Sequence, residues 1–391
     1  MDERKPGLWT RSFVFACMAH FLMSLPMNML MPIIPVYLVE ELNISSSWVG
    51  VVLASYTIGL LCVRPFSGYV VDAVKRKPLY LVAFTITTAL FAGYLVAATV
   101  ASIMLVRFIQ GGSVGLSSVA GNTIAIDVVS SKRRGEGIGF YGLTLSLAMT
   151  LAPLLAVPVY NAFGFHTLIV ICLLAALLGV IAVYNIKHVQ KEKVSRPPFS
   201  LDRFILIQAI PAGISHMLCS IGYGMVVSFA VLYGKEIHVS NPGYFFIFMA
   251  TGVGSARIFS GRMIDRGKLH LLLTSAIVGI IISLVVFATL HNVLVFFVAA
   301  FFIGIGYGVS IPAFQSLFVN VAHPNRRGTA TSTYLTSLDL GMGIGMLSTG
   351  FIASVSSLSA AYLVGAFCCL LSLFVYLLYA KPSYEKYRIE N

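Results

Sequence analysis

The sequence predicts an all-α integral membrane protein of twelve transmembrane helices in two pseudo-symmetric six-helix bundles, and three observations predict it. Of the 391 residues, 58% are hydrophobic and only 10% are charged, so lipid is the solvent for most of the chain. Apolar runs long enough to cross a bilayer core of about 30 Å recur throughout. The stretch RPFSGYVVD at 64–72 returns as RIFSGRMID at 257–265, an offset of 193 positions. The same offset pairs Gly59 with Gly252, Gly111 with Gly304, and Arg133, Arg134, Gly135 and Tyr141 with Arg326, Arg327, Gly328 and Tyr334. A constant offset through so many landmarks means two homologous halves, and two parallel repeats in one membrane chain point to a transporter.

Hydropathy places helices at 13–39, 47–72, 79–99, 101–127, 136–163 and 165–186, then at 203–233, 241–264, 270–290, 294–321, 328–356 and 358–380. The first segment has a cationic approach (Arg4, Lys5, Arg11) but is too long, and lacks the small-residue cleavage site, for a signal peptide. It counts as a helix. Residues 187–202, KHVQKEKVSRPPFSLD, are polar and proline-bearing and read as a cytoplasmic linker between an N-terminal bundle over 1–186 and a C-terminal bundle with a short tail over 203–391.

The net charge of +12 is spread over alternate loops: Lys75, Arg76 and Lys77; Lys132, Arg133 and Arg134; the linker lysines; Arg266 and Lys268; Arg326 and Arg327; and the C-terminal tail. This positive-inside pattern places both termini in the cytoplasm, and it excludes nucleic acid, which needs the charge gathered into a patch. All six cysteines fall in predicted spans, with no disulfide framework or zinc spacing. No Ser/His/Asp arrangement on a water-facing domain and no phosphate-cradling GxxxxGK is present, so neither an enzyme nor a resident cofactor is expected.

The loop GYVVDAVKRK at 68–77 is similar to the signature of the major facilitator superfamily, a glycine, an acid four residues on and a basic cluster. The chain resembles that family over nearly its whole length. In the family this loop is a conformational gate latch, which by resemblance involves Gly68, Asp72, Arg76 and Lys77 here and Gly261, Asp265 and Arg266 in the second half. The other reading makes both copies turn and topology determinants. RFIQGG at 107–112 resembles the family motif with an intramembrane arginine that takes part in proton coupling. The antiporter signature survives as Ala152, Pro153 and Ala156, while Leu143 stands where the family has glycine. RPFSG at 64–68 and LDLGMGIG at 338–345 carry a further likeness to the bacterial exporters of sugars and drugs.

An ionised side chain at mid-bilayer costs about 2.5 to 3.5 kcal/mol even on the lenient insertion scale, so intramembrane charges are the chief chemical signals. Asp339 lies 11 residues beyond Gly328, a depth of about 16 Å. It is either a proton carrier or an acid held permanently by an arginine or backbone amides. Arg64 and Arg257 occupy equivalent places, and either face a cavity as an anion-binding pair or hold helix-end carbonyls near a gate. Arg107 and Gln110 are candidates for the substrate pathway, with Glu40 a conceivable partner for Arg107; Asn28, His216 and Gln315 join the pathway set. Met23, Met27 and Met31 recur at helical spacing beside His20 and Asn28. They read as packing, as an adaptable wall for apolar ligands, or with His216 and Cys219 as a soft copper(I) site, although no compact ligand spacing supports a metal.

The expected function is secondary active transport by alternating access in the cytoplasmic (inner) membrane, most simply proton-coupled efflux of a small amphipathic or hydrophobic molecule by a monomer. Arg64, Arg107 and Arg257 would shape the field of a midplane site, with Asp339 carrying the proton. Uptake or facilitated passage of an organic anion or sugar, or lipid flipping, are the alternatives.

Overall fold

Glycine decides how closely these helices approach. The computed structural model describes residues 8–97, 99–130, 134–187, 205–265, 268–322 and 327–388, and the described residues are almost entirely helical. The helices are α1 (Arg11–Glu40), α2 (Ser46–Ala73), α3 (Arg76–Val96), α4 (Val100–Asp127), α5 (Arg134–Asn185), α6 (Ile210–Glu236), α7 (Phe245–Asp265), α8 (Leu269–Thr289), α9 (Val293–Asn320), α10 (Arg327–Val355), α11 (Leu358–Val375) and α12 (Lys381–Tyr387).

Among the described residues ten helices are long and apolar enough to cross a membrane, against the twelve expected from hydropathy. The 52-residue α5 contributes one to that number, although Gly164 (φ 76°, ψ 178°) divides it into two arms; only glycine adopts that backbone without strain. The 21-residue α7, with Arg257, Arg262 and Asp265, is not among these ten. The helix expected from 203 begins later, after a 3-10 turn over Ile207–Ala209 and with Pro211 in its first turn. The C-terminal segment expected as a tail from Lys381 is instead helical: a π turn over Tyr376–Ala380 joins α11 to α12. The linker proposed at 187–202 lies, apart from Lys187, outside the described residues.

The chain groups into two units, Met1–Ile33 with Ser55–Pro197, and Ile34–Ala54 with Pro198–Asn391. In the first, a core of Phe13, Tyr80, Phe84, Ile124, Tyr141 and Val183 joins α1, α3, α4 and α5. In the second, Tyr233, Phe245, Phe287, Phe296 and Tyr362 stack in tilted and edge-on pairs with centroids 4.9–5.4 Å apart. The Tyr233 hydroxyl donates to the Phe287 carbonyl at 2.9 Å. On α5, Val170, Ile171, Leu174, Leu177, Leu178 and Ile181 form an exposed stripe at helical spacing, a face suited to lipid.

The 193-residue repeat is a repeat of close helix crossings. A Cβ on Gly59 would collide with the Phe108 carbonyl and one on Gly111 with the Tyr56 carbonyl, so α2 and α4 meet backbone to backbone. In the second unit Gly252 and Gly304 make the same approach to the carbonyls of Phe301 and Met249 across α7 and α9. The caps repeat too: Thr99 closes a capping box on α4, and Asn292, 193 positions on, accepts from the Leu294 amide at the start of α9. Gly341 and Gly345 press against the carbonyls of Met217 and Ile221, seating α10 on α6. Also in this unit, Gly50 and Gly350 oppose one another where the start of α2 meets the end of α10.

A methyl group at either repeated crossing must push two backbones apart. Gly111→Ala and Gly304→Ala should each lower the thermal unfolding midpoint of the detergent-solubilised protein, by about 1–3 kcal/mol of stability. Gly254→Ala, where a Cβ meets open space, should leave it unchanged; equal effects at all three positions would refute the steric account.

Candidate functional site

In the first unit the crossing of α2 and α4 fixes the surroundings of Arg107, which stands one turn before Gly111. Its side chain is 0% exposed. The guanidinium carbon sits 4.7 Å from the centroid of the Tyr56 ring on α2. None of its three side-chain nitrogens makes a well-formed hydrogen bond among the described residues, although the Tyr94 hydroxyl oxygen is close enough to accept from it. Beside it, the Tyr94 hydroxyl of α3 lies within electrostatic range and donates to Gln110 Oε1 at 2.8 Å. That bond orients the amide and leaves Gln110 Nε2, also fully buried, as a second donor with no acceptor. A buried cation resting on an aromatic face beside an unused amide donor is an electropositive feature that a ligand anion would complement.

Arg64, on α2, is buried at 9% exposure. Asn28 turns back on its own helix, its amide donating to the Ser24 carbonyl at 2.8 Å. Met23, Met27 and Met31 are buried, consistent with packing. Ala152, Pro153 and Ala156 are buried within α5.

In the second unit the charged residues gather around one tyrosine. Tyr334, on α10, lies within electrostatic range of Arg257 on α7, of Asp339 one to two turns further along α10, and of Tyr223 on α6. Arg257 and Asp339 are half-buried, and Tyr223 and Tyr334 are buried. Tyr223 in turn packs edge-on against Tyr307 with centroids 4.8 Å apart. His216 is 2% exposed and stacks on the opposite ring, Tyr334, at 4.8 Å and 9°. Gln315 is half-buried on α9.

The residues assigned to the latch are only partly described. Arg76 Nη1 donates to Asp127 Oδ2 at 2.6 Å, tying the start of α3 to the end of α4, and Lys77 Nζ donates to the Tyr184 carbonyl at 2.8 Å. Both basic residues are engaged inside the first unit. Gly68, Asp72, Gly261 and Asp265 lie within α2 and α7 with side chains outside the described residues, and Arg266 lies outside them altogether. Glu40 pairs with Lys235 at 2.5 Å across the ends of α1 and α6. No group of three or more His, Cys, Asp or Glu able to hold a metal ion occurs among the described residues.

The aromatic walls were not read from the sequence. Tyr56 and Tyr94 carry no spacing signal beyond their helices. Tyr141 and Tyr334 did stand out as a repeated pair, and the second proves to be the hub of the charged cluster.

Sequence and structural comparisons bear on the family and the fold. The staphylopine export protein of Staphylococcus aureus is 22% identical over 347 residues, covering 83% of this chain and 85% of its own length. The staphyloferrin B transporter of the same species is 22% identical over 378 residues, covering 92% of this chain and 90% of its own. The crystal structure of the human organic anion transporter MFSD10 superposes with a TM-score of 0.72 at 16% identity, over 93% of this chain and 98% of that one. The profile of the Major Facilitator Superfamily matches residues 16–334 and 212–390. With both halves matched in this way, the chain belongs to the Major Facilitator Superfamily, as a multi-pass membrane transporter.

Proposed function

We propose that this transporter exports a small organic anion bearing a carboxylate, in exchange for protons, by alternating access. The observation that carries the reading is Arg107, a fully buried guanidinium with an aromatic face beneath it, the neutral Tyr94 hydroxyl beside it and no well-formed hydrogen bond among the described residues. Desolvating an ion costs several kcal/mol, and a desolvated cation–π contact returns about 2 kcal/mol. A carboxylate supplies the remainder, since two of its oxygens match the guanidinium fork. Gln110 Nε2 is the neighbouring donor for a further substrate oxygen.

Arg64 and Arg257 add positive field from their own units. Asp339 is the acid that balances it, loading a proton from one side of the membrane and releasing it to the other. The name of the staphylopine export protein favours export, and that of the organic anion transporter MFSD10 an anionic substrate. The burial of Met23, Met27 and Met31 on α1 supports packing over an apolar ligand wall. The distribution of lysine and arginine supports cytoplasmic termini, and the glycine–acid loops remain the proposed latch.

The assay is transport in proteoliposomes, with carboxyfluorescein as the anionic probe and an uncharged rhodamine ester as its comparison. Arg107→Gln should reduce carboxyfluorescein transport at least about tenfold, the scale of one charge-assisted hydrogen bond, while sparing the uncharged dye. Arg107→Lys should fall between the two. Equal losses for both dyes would make Arg107 a structural residue and remove the basis of the anion reading.

Proton coupling is tested separately. An imposed pH gradient should drive accumulation by the native protein and not by Asp339→Asn, whereas exchange of probe across the membrane without a gradient should persist in the mutant. Accumulation that survives in Asp339→Asn would transfer the coupling role elsewhere.

A further inference from the structure

Each unit contains a buried histidine clamped to one helical turn by a stack and a hydrogen bond. In the first, His20 of α1 lies flat on Tyr141 of α5, centroids 4.2 Å apart and planes at 7°, and its Nδ1 is 2.7 Å from Thr144 Oγ1. In the second, His216 of α6 lies on Tyr334 of α10 at 4.8 Å and 9°, with Nδ1 2.8 Å from Ser337 Oγ. Tyr141 and Thr144 map onto Tyr334 and Ser337 by the 193-residue offset, but the histidines are 196 apart, which hides the motif from a search at constant offset.

The hydrogen bonds assign the tautomer. Ser337 Oγ donates its single hydrogen to the Tyr334 carbonyl at 2.7 Å, so the partner nitrogen, His216 Nδ1, must carry the other hydrogen and donate to the serine. Thr144 and His20 repeat the arrangement, with Thr144 Oγ1 donating to the Tyr141 carbonyl at 2.7 Å. His216 Nε2 is then a bare lone pair, buried and without a hydrogen-bond partner. Its ring is enclosed by Phe314 and Phe318 of α9, at 4.7 and 6.4 Å. At the clamp α6 and α10 meet backbone to backbone, since a Cβ on Gly341 would collide with the Met217 carbonyl next to His216.

The two copies face different surroundings. Tyr141 lies beside Tyr80, a neutral partner. Tyr334 lies beside Arg257, Asp339 and Tyr223. By the offset, Arg257 has a counterpart in Arg64, while Asp339 and Tyr223 correspond to Ser146 and Leu30. The first clamp therefore holds a wall, and the second holds the residue that neighbours both the cation and the acid.

We propose that His216 is a positioning residue for proton coupling: by stacking on Tyr334 and donating to Ser337 it fixes the turn 334–337, and with it the placement of Tyr334 against Asp339 and Arg257. This rests on the reading of Asp339 as the proton carrier. Among the described residues Tyr334 is the titratable group shown within electrostatic range of that acid; Tyr334 is in turn within range of Arg257 on α7 and Tyr223 on α6 and stacks on His216, and Tyr223 packs on Tyr307 of α9, which has Cys219 of α6 and Cys369 of α11 beside it.

The test needs no transported substrate. Infrared difference spectra of the purified, reconstituted protein, titrated with pH, should contain a protonated-carboxyl band that is missing in Asp339→Asn. His216→Phe retains the stacked ring and loses the Nδ1–H donor; Ser337→Ala removes the same bond from its other end. Each should move the midpoint of the Asp339 band by at least about half a pH unit, and the double variant should move it no further, since both delete one interaction. His20→Phe, the equivalent change in the neutral copy, should leave the midpoint in place. An unmoved midpoint in both His216→Phe and Ser337→Ala, additive shifts in the double variant, or an equal shift in His20→Phe would overturn the positioning role while leaving Asp339 as carrier. Absence of any band sensitive to Asp339→Asn would overturn the carrier reading, and the positioning role with it.

Discussion

Helix backbones in direct contact are the constraint on which the candidate site rests. Where α2 meets α4 and α7 meets α9, a glycine on each helix faces a carbonyl on the other, and no side chain fits. Lipid tails are as apolar as leucine, so burial of apolar surface does little to hold such helices together; close packing does. The crossings also set the positions of the charges. Arg107 stands four residues before Gly111, and Arg64 and Arg257 each stand five residues beyond the crossing glycine of their helix. Their places follow from where the backbones touch.

Electrostatics then decide what such a scaffold can bind. In a medium where unit charges at 4 Å interact by about 4 kcal/mol at an effective dielectric of 20, the partner of a buried cation dominates its energetics. Arg76 has such a partner in Asp127, and Lys235 has Glu40. Arg107 has only the Tyr56 ring and the neighbouring Tyr94 hydroxyl. The first two are fastenings at helix ends. The third is a cation in a helix interior with only neutral neighbours among the described residues, and under the proposed function a ligand charge completes it.

Much of this was legible in the chain. The constant offset revealed the duplication, hydropathy placed most helix ends within a few residues, and the division at Gly164 followed from the break between two apolar runs. The repeated glycines were visible as landmarks, but their opposing carbonyls were not, because a crossing is a property of two helices. For the same reason the sequence could offer Glu40 to Arg107, whereas packing gave it to Lys235. The start of α6 was placed too early, since apolar residues before Pro211 extend the hydropathy signal into a 3-10 turn. The histidine clamps escaped notice because a three-residue slip between the copies leaves His20 and His216 out of register, although one helical turn nearly absorbs that slip.

Duplication also explains why the two units carry unequal chemistry. A repeated fold supplies two equivalent frames, and divergence at a few positions suffices to assign them different work. The first unit carries Arg107 and Gln110, whose donors make no well-formed hydrogen bond among the described residues, and its histidine clamp faces a neutral tyrosine. The second has an acid where the first has Ser146 and a tyrosine where the first has Leu30, placing Tyr334 in a charged neighbourhood. Under the proposed function, the anion is received by the first frame and the proton by the second. Coupling then needs no contact between carboxylate substrate and proton: it needs only that the charge state of Asp339 alter the energy of a conformational change both units share, which a differential interaction of a few kcal/mol accomplishes.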